Sequence, residues 1–346
     1  MPAYDAFLLV SFGGPEGPGE VMPFLENVTR GRGVPPERLA GVAEHYYAFG
    51  GVSPINRQCR GLLAAIRADF SAGGLSLPAY WGNRNWRPYL ADTVRAMADD
   101  GIRRAVALVT SAYSSYSGCR QYLDDIERAR AKVGPGAPRI DKIRRFYDHP
   151  GFIEPFAAST RAALAAIPAG LRDDAHLVFT AHSVPVAMAE ASGPQGEGGG
   201  RYVAELTEAA RLISERTGDH GHPWTLAYQS RSGPPSQPWL EPDVCGHLEE
   251  LAKAGTKAVV VIPVGFVSDH MEVRHDLDVE AAHSAESLGL AFARAATPGT
   301  DPRFASMVTE LVRERLARPD DPSQDCPADC CRYVPPAGRP LGTARA

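Results

Sequence analysis

Imidazole, carboxylate and thiol groups are the side chains best able to move protons or hold transition metals near neutral pH, and three stretches of this chain concentrate them. The first is VFTAHSVP, where His182 closes an apolar run. A histidine at the carboxyl end of a strand can take up a proton or ligate a metal; a hydrogen-bonded structural histidine is an equally ordinary reading. Ser183 comes next, but no G-x-S-x-G elbow surrounds it, so a serine hydrolase has weak support. The second stretch, SDHMEVRHDLDVE (268–280), opens just after the apolar run AVVVIPVGF. Its Glu272, Asp276 and Glu280 lie four apart, so a helix would carry them in one row, where like charges repel unless a cation or protons compensate. A charge run is usually a solvated helix face; its position at a strand end is what argues for a site. The third stretch is the tail sequence CPADCC, with Cys326, Cys330 and Cys331, while Cys59, Cys119 and Cys245 are dispersed. This spacing does not resemble a disulfide framework and raises the question of a metal.

The elements that must position these groups alternate between short apolar runs and longer amphipathic ones. Strands are predicted at 7–12, 79–82, 105–110, 176–182, 225–230 and 258–266, each apolar nearly throughout, as expected where helices cover both faces of a sheet. Helical periodicity occupies 59–70, 89–100, 121–133, 152–167, 201–217 and 303–317, with Gly and Pro at the joints. The alternation runs once to about residue 148 and then restarts. This predicts an α/β protein of two Rossmann-like domains, 1–148 and 149–318, each a parallel sheet flanked by helices. Terminal helices exchanged between the two are compatible with it. The ligand cleft is expected between them near the carboxyl ends of the strands. SGPQGEGGG (192–200) reads as a flexible loop, and 319–346 as a Cys/Pro-rich tail. The turn in LLVSFGGPEGP (8–18) is neither G-x-G-x-x-G nor a P-loop; its glycines let a flat ligand approach the backbone or simply make a tight turn.

Bulk properties remove whole classes of function. The 346 residues carry a net charge of -5, which offers no basic face for nucleic acid. No apolar run approaches the ~20 residues of a membrane span. The first residues, MPAYDAFLLVSFGG, lack a basic leader, so a cytoplasmic location is expected. No apolar dimer face stands out after the last helix, and a monomer is expected.

Six blocks, in order, resemble the ferrochelatase family: FGGPEGPGEVMPFLENVTRGR (12–32), YYAFGGVSPINRQ (46–58), WGNRNWRPYLADTV (81–94), AHSVP (181–185), YQSRSGPPSQPWLEPDV (228–244) and PVGFVSDHMEVRHDLDVE (263–280). The resemblance implies insertion of Fe(II) into a porphyrin held in a cleft between two Rossmann-like domains. His182 falls on the family's active-site histidine and Glu272 on its facing glutamate, with Asp276 and Asp278 along a path for iron. Arg274 and His275 stand where relatives often carry an apolar and an aromatic residue, which bears on the outer part of that path. Phe12, Arg30, Tyr46 and Ser53 are implied as porphyrin-binding residues. Phe12 replaces a tyrosine found in some bacterial relatives and so can pack on the ring but not ligate. Arg30 and Tyr46 suit propionates, ordinary surface pairing being the alternative. Some ferrochelatases hold a [2Fe-2S] cluster on one internal and three C-terminal cysteines, and Cys119 with Cys326, Cys330 and Cys331 supplies such a set, against a structural zinc or free thiols.

The expected substrate is coproporphyrin III, giving coprohaem, with protoporphyrin IX as the alternative. Enzymes of haem synthesis are the expected protein partners. A cobalt or nickel chelatase is disfavoured by the 228–244 block. A haem or porphyrin carrier is the rival from another class, and it would not need a histidine faced by acids.

Overall fold

The protein, seen in a computed structural model, is described over residues 3–31, 33–218, 221–233, 236–321 and 325–333. Among these residues, eight strands form two parallel sheets. β1 (Ala6–Ser11), β2 (Ala79–Asn83), β3 (Arg104–Val109) and β4 (Arg139–Lys142) make the first, in the order β2-β1-β3-β4. β5 (His176–His182), β6 (Trp224–Gln229), β7 (Ala258–Ile262) and β8 (Ala291–Arg294) make the second, in the order β6-β5-β7-β8. The topology is therefore repeated. In each sheet the chain pairs its second strand on one side of the first, then crosses to place the third on the other side. The switch points lie beyond the carboxyl ends of β1 and β3 in one sheet, and of β5 and β7 in the other.

The apolar runs explain the layering. Along β1, Phe7 and Leu9 enter one core cluster while Leu8 and Val10 enter another on the opposite face. Along β7, Val260 and Ile262 likewise part from Val259 and Val261. A period of two sends alternate side chains to opposite faces, and both faces are roofed by helices, so every position must be apolar. Helix 55–72 offers Ile55, Cys59, Leu62, Leu63, Ile66 and Phe70 to the core at helical spacing.

One core cluster joins the two sheets, from Phe7 and Leu9 to Phe179 and Ile262. Phe146, Phe152, Phe156 and Phe304 belong to the same cluster and meet edge to face along it. The helix Pro302–Ala317 packs against both Ile55–Ala72 and Pro150–Ala166, so the chain returns there to the first half. Arg315 on it is buried and donates to the Tyr4 hydroxyl at 2.7 Å and to Asp325 at 2.7 Å.

The six predicted strands are present, the last ending at Ile262 because Pro263 follows. β4 and β8 were not anticipated. Both are four-residue edge strands, RIDK and AFAR, with mostly half-buried side chains and no continuous apolar run to reveal them. The 192–200 stretch is not a free loop. Ser192 is buried, and a Cβ on Gly199, at φ +67, would sit 1.9 Å from the Glu190 carbonyl oxygen.

Candidate active site

The two switch points are brought together. Tyr113, four residues beyond β3, donates its hydroxyl to the carbonyl of Val264, two residues beyond β7, at 2.9 Å in a buried contact. Gly265 lies so close to the end of β5 that a Cβ there would meet Ala181 Cα at 2.7 Å. Strand β5 ends on His182, which is therefore held at the centre of this meeting. Its Nδ1 lies 2.5 Å from the Ser183 carbonyl. A carbonyl only accepts, so Nδ1 carries the proton and a neutral ring presents the Nε2 lone pair. That Nε2 faces Glu272 Oε2 at 3.7 Å. The two residues picked from separate stretches of sequence thus face one another.

Glu272 stands in the first turn of helix Met271–His275 and is half exposed. His270, just before the helix, lies with Nδ1 3.9 Å from the same carboxylate, and burial lowers its basicity. The helix then widens into a π turn over Asp276–Ala281. This turn breaks the simple i, i+4 row expected from the spacing. Asp276 is largely buried, and it accepts hydrogen bonds from Ser230 Oγ and, at 3.2 Å, from Gln229 Nε2. Burial first, then the charges of Glu272 and Glu280, push its carboxyl up to about 6. His275 Nδ1 approaches Asp276 Oδ1 at 3.7 Å and Glu280 Oε1 at 3.8 Å, and these three offer ligand atoms within 4.8 Å of one another. The His275 ring stacks on His45 of the first half, centroids 3.6 Å apart. Asp278 is turned elsewhere: it pairs with Arg274 at 2.7 Å and with Arg294, which also holds Asp269. Two guanidinium groups satisfy it, and His275 and Glu280 are the groups gathered at Asp276. The sequence named both without assigning them a role, because the π turn that groups them leaves no mark on residue spacing.

The other wall comes from the first half. Phe12 follows β1 and is exposed on one side, with its ring 6.4 Å from Phe24 and near the guanidinium of Arg84. Tyr46 is buried against Phe24; burial raises its phenol, and the nearby Glu272 charge adds to the effect. Ser53 is buried against the glycine turn, its amide donating to the Pro15 carbonyl at 2.8 Å. A Cβ on Gly14 would strike Ser53 Cβ at 2.7 Å, so this glycine is needed for close packing of the two segments. Arg30 caps the helix Pro18–Thr29 and is exposed, with no ion pair among the described residues. Tyr113, Gln229 and Ser230 were not singled out from the sequence, and His270 only as a member of the 268–280 stretch. Their signal in the sequence was position alone, at the end of β6 for Gln229 and Ser230 and in the segments after β3 and β7 for Tyr113 and His270.

The four cysteines named from the sequence also converge. Cys119 and Cys326 sulfurs are 3.9 Å apart, those of Cys330 and Cys331 3.7 Å apart, and Cys119 also meets Cys331 while Cys326 meets Cys330. The sulfurs form a closed ring of soft donors. Arg145 and Lys142 lie near enough to offset negative charge on Cys119. The thiols facing Cys330 lower its own to about 3. Such a donor set fits thiolate ligation of iron or zinc.

Comparison of structures gives the class first. The sirohydrochlorin chelatase SirB from Bacillus subtilis subspecies spizizenii, in complex with cobalt, superposes with a TM-score of 0.54 over 93% of this chain and 99% of its own, at 12% identity. The fold is thus the chelatase-like one. A family model described as Ferrochelatase matches residues 4–316, and the chain belongs to that family. Its relatives include the coproporphyrin III ferrochelatases of Streptomyces coelicolor, 55% identical over 95% of this chain and 93% of the other, and of Nocardia farcinica, 59% identical over 91% and 89%.

Proposed function

We propose that the protein inserts ferrous iron into coproporphyrin III, releasing two protons and forming coprohaem. The observation that carries this reading is His182 Nε2 facing Glu272 across 3.7 Å, with the other ring nitrogen committed to the Ser183 carbonyl. A free porphyrin keeps two N–H protons in its plane, and both must leave as iron enters. His182 accepts them one at a time at Nε2, because Nδ1 is already protonated and held. Glu272 takes each proton from the imidazole and passes it outward. The same carboxylate, with His275, Asp276 and Glu280 behind it, gives the incoming Fe(II) a line of imidazole and oxygen donors suited to that ion. Atoms balance: the ring loses two protons, gains one Fe(II), and no electron is transferred.

Phe12 packs on the macrocycle, Ser53 shapes the turn beneath it, and Arg30 and Tyr46 meet propionates. Two relatives at 55% and 59% identity named for coproporphyrin III support the choice of ring, as does the exposed Arg30, which has no ion pair among the described residues, since this ring bears four propionates. Cys119, Cys326, Cys330 and Cys331 would hold a [2Fe-2S] cluster, which when bound cross-links the tail covalently to the first half. We read the protein as a cytoplasmic monomer working among other enzymes of haem synthesis; no helix among the described residues is long and apolar enough to cross a membrane.

Anaerobic iron insertion into coproporphyrin III and protoporphyrin IX, followed side by side by absorbance, tests the substrate. A strong preference for the four-propionate ring is expected. Preference for protoporphyrin IX overturns that choice, and inactivity of folded protein on both overturns the proposed reaction.

A further inference from the structure

The chain segment that carries three of the ring's cysteines touches both backbone stretches that lead to His182. On one side, Cys331 and Gly193 exchange contacts: the Cys331 amide donates to the Gly193 carbonyl at 2.9 Å, and the Gly193 amide donates to Cys331 Sγ at 3.2 Å. Next to Gly193, Ser192 Oγ accepts from the Tyr202 amide at 2.8 Å. The Tyr202 hydroxyl in turn donates to the His182 carbonyl at 2.8 Å. On the other side, Gln237 Nε2 donates to the Tyr333 hydroxyl at 3.1 Å. Gln237 adjoins 238–240, which pairs with 184–186: Val186 donates to the Pro238 carbonyl at 3.1 Å, Leu240 to the Val184 carbonyl at 3.0 Å, and Ser183 Oγ to the Leu240 carbonyl at 2.9 Å. Ser183 supplies the carbonyl that fixes the His182 tautomer. Both routes therefore end on the backbone that aims the imidazole.

We infer that the cysteine-bearing tail is a positioning element for His182, with Cys331 and Tyr333 gripping the two segments, 183–193 and 236–240, that border it. Each route runs through buried or half-buried hydrogen bonds, and a donor or acceptor left unpaired there is costly, so the two segments hold one arrangement while the tail is seated. The cysteine side of the grip is anchored to the first half, because Cys119 lies on the π turn Tyr116–Arg120 that follows β3. Tyr333 reaches the same turn through its ring, 6.3 Å from Tyr116. The tail thus transmits the relation between the halves to the imidazole, touching neither ring nor iron. The inference rests on the proposed role of His182.

Tyr333→Phe and Ser192→Ala each cut one route without removing a thiol. We expect kcat for iron insertion to fall about fivefold in either, the worth of one ordinary hydrogen bond, with KM for the porphyrin unchanged. Amide hydrogen exchange should quicken in 236–243 for Tyr333→Phe and in 183–193 for Ser192→Ala, while visible absorbance from the cysteine site stays as in the parent. Unchanged kcat and exchange in both variants overturns the inference, and so does a raised KM with kcat intact. His182→Ala, run alongside, separates the two readings. If it still turns over, the assigned role of His182 fails, whereas the exchange response of the tail variants stands on its own.

Discussion

The two halves of the molecule share one strand order and differ in what they place at its switch point. In the first half, the turns after β1 and β3 bring Phe12, Gly13, Gly14 and Tyr113, none of which ionises near neutral pH. In the second, the end of β5 brings His182, and the segment after β7 brings His270 and Glu272. Topology fixes where a ligand can lie between strand ends, and the residue types divide the labour there. In the proposed reaction, one half makes a wall for a flat ring, and the other makes the face that removes protons and admits the metal.

Mutations in the two halves should therefore read out differently. The largest effect belongs to the second: His182→Ala should lower iron insertion by about a thousandfold while porphyrin still binds, seen by single-turnover absorbance. Glu272→Gln should cost about a hundredfold in kcat, because the proton has no ionised acceptor beyond the imidazole. Phe12→Ala, on the first side, should raise KM for the porphyrin about three- to tenfold, the worth of one aromatic contact, with kcat little changed.

The smallest effect sharpens the picture of the acid line. Asp276 is raised by burial from 3.8 to about 6, so between those values the folded protein holds a proton that the unfolded chain releases. The cost of burying its charge is thus absent below about pH 4 and complete above about pH 6. Asp276→Asn should raise Tm more at pH 8 than at pH 4, by scanning calorimetry. An equal shift at both values would show that the carboxyl is not strained by burial.

Much of this was legible from residue types. Strands buried on both faces announce themselves as unbroken apolar runs, so β1, β3, β5 and β7 were visible, and with them the strand end that carries His182. Edge strands RIDK and AFAR lack that signal because one side of each is open. The helices Pro18–Thr29 and Pro36–Tyr47 went unseen because their faces pack on a small satellite cluster around Phe24 and Trp86, and their periodicity is correspondingly weak. The pairing of His182 with Glu272 was reached only through resemblance, since ninety residues separate them and no spacing rule joins two strand ends. The row Glu272, Asp276, Glu280 was legible as charge but not as geometry: the π turn regroups it, drawing in His275 and leaving Asp278 to Arg274 and Arg294. The cysteine ring was anticipated as a set, whereas its hydrogen-bonded reach to Gly193 and Gln237 depends on backbone placement that composition cannot encode.

The division of labour between the halves is tested most directly by measuring kcat and the porphyrin dissociation constant together for His182→Ala and Phe12→Ala under anaerobic conditions. A crossed result is expected: His182→Ala loses turnover and keeps its affinity, while Phe12→Ala loses affinity and keeps turnover. Loss of the same quantity in both variants would contradict it.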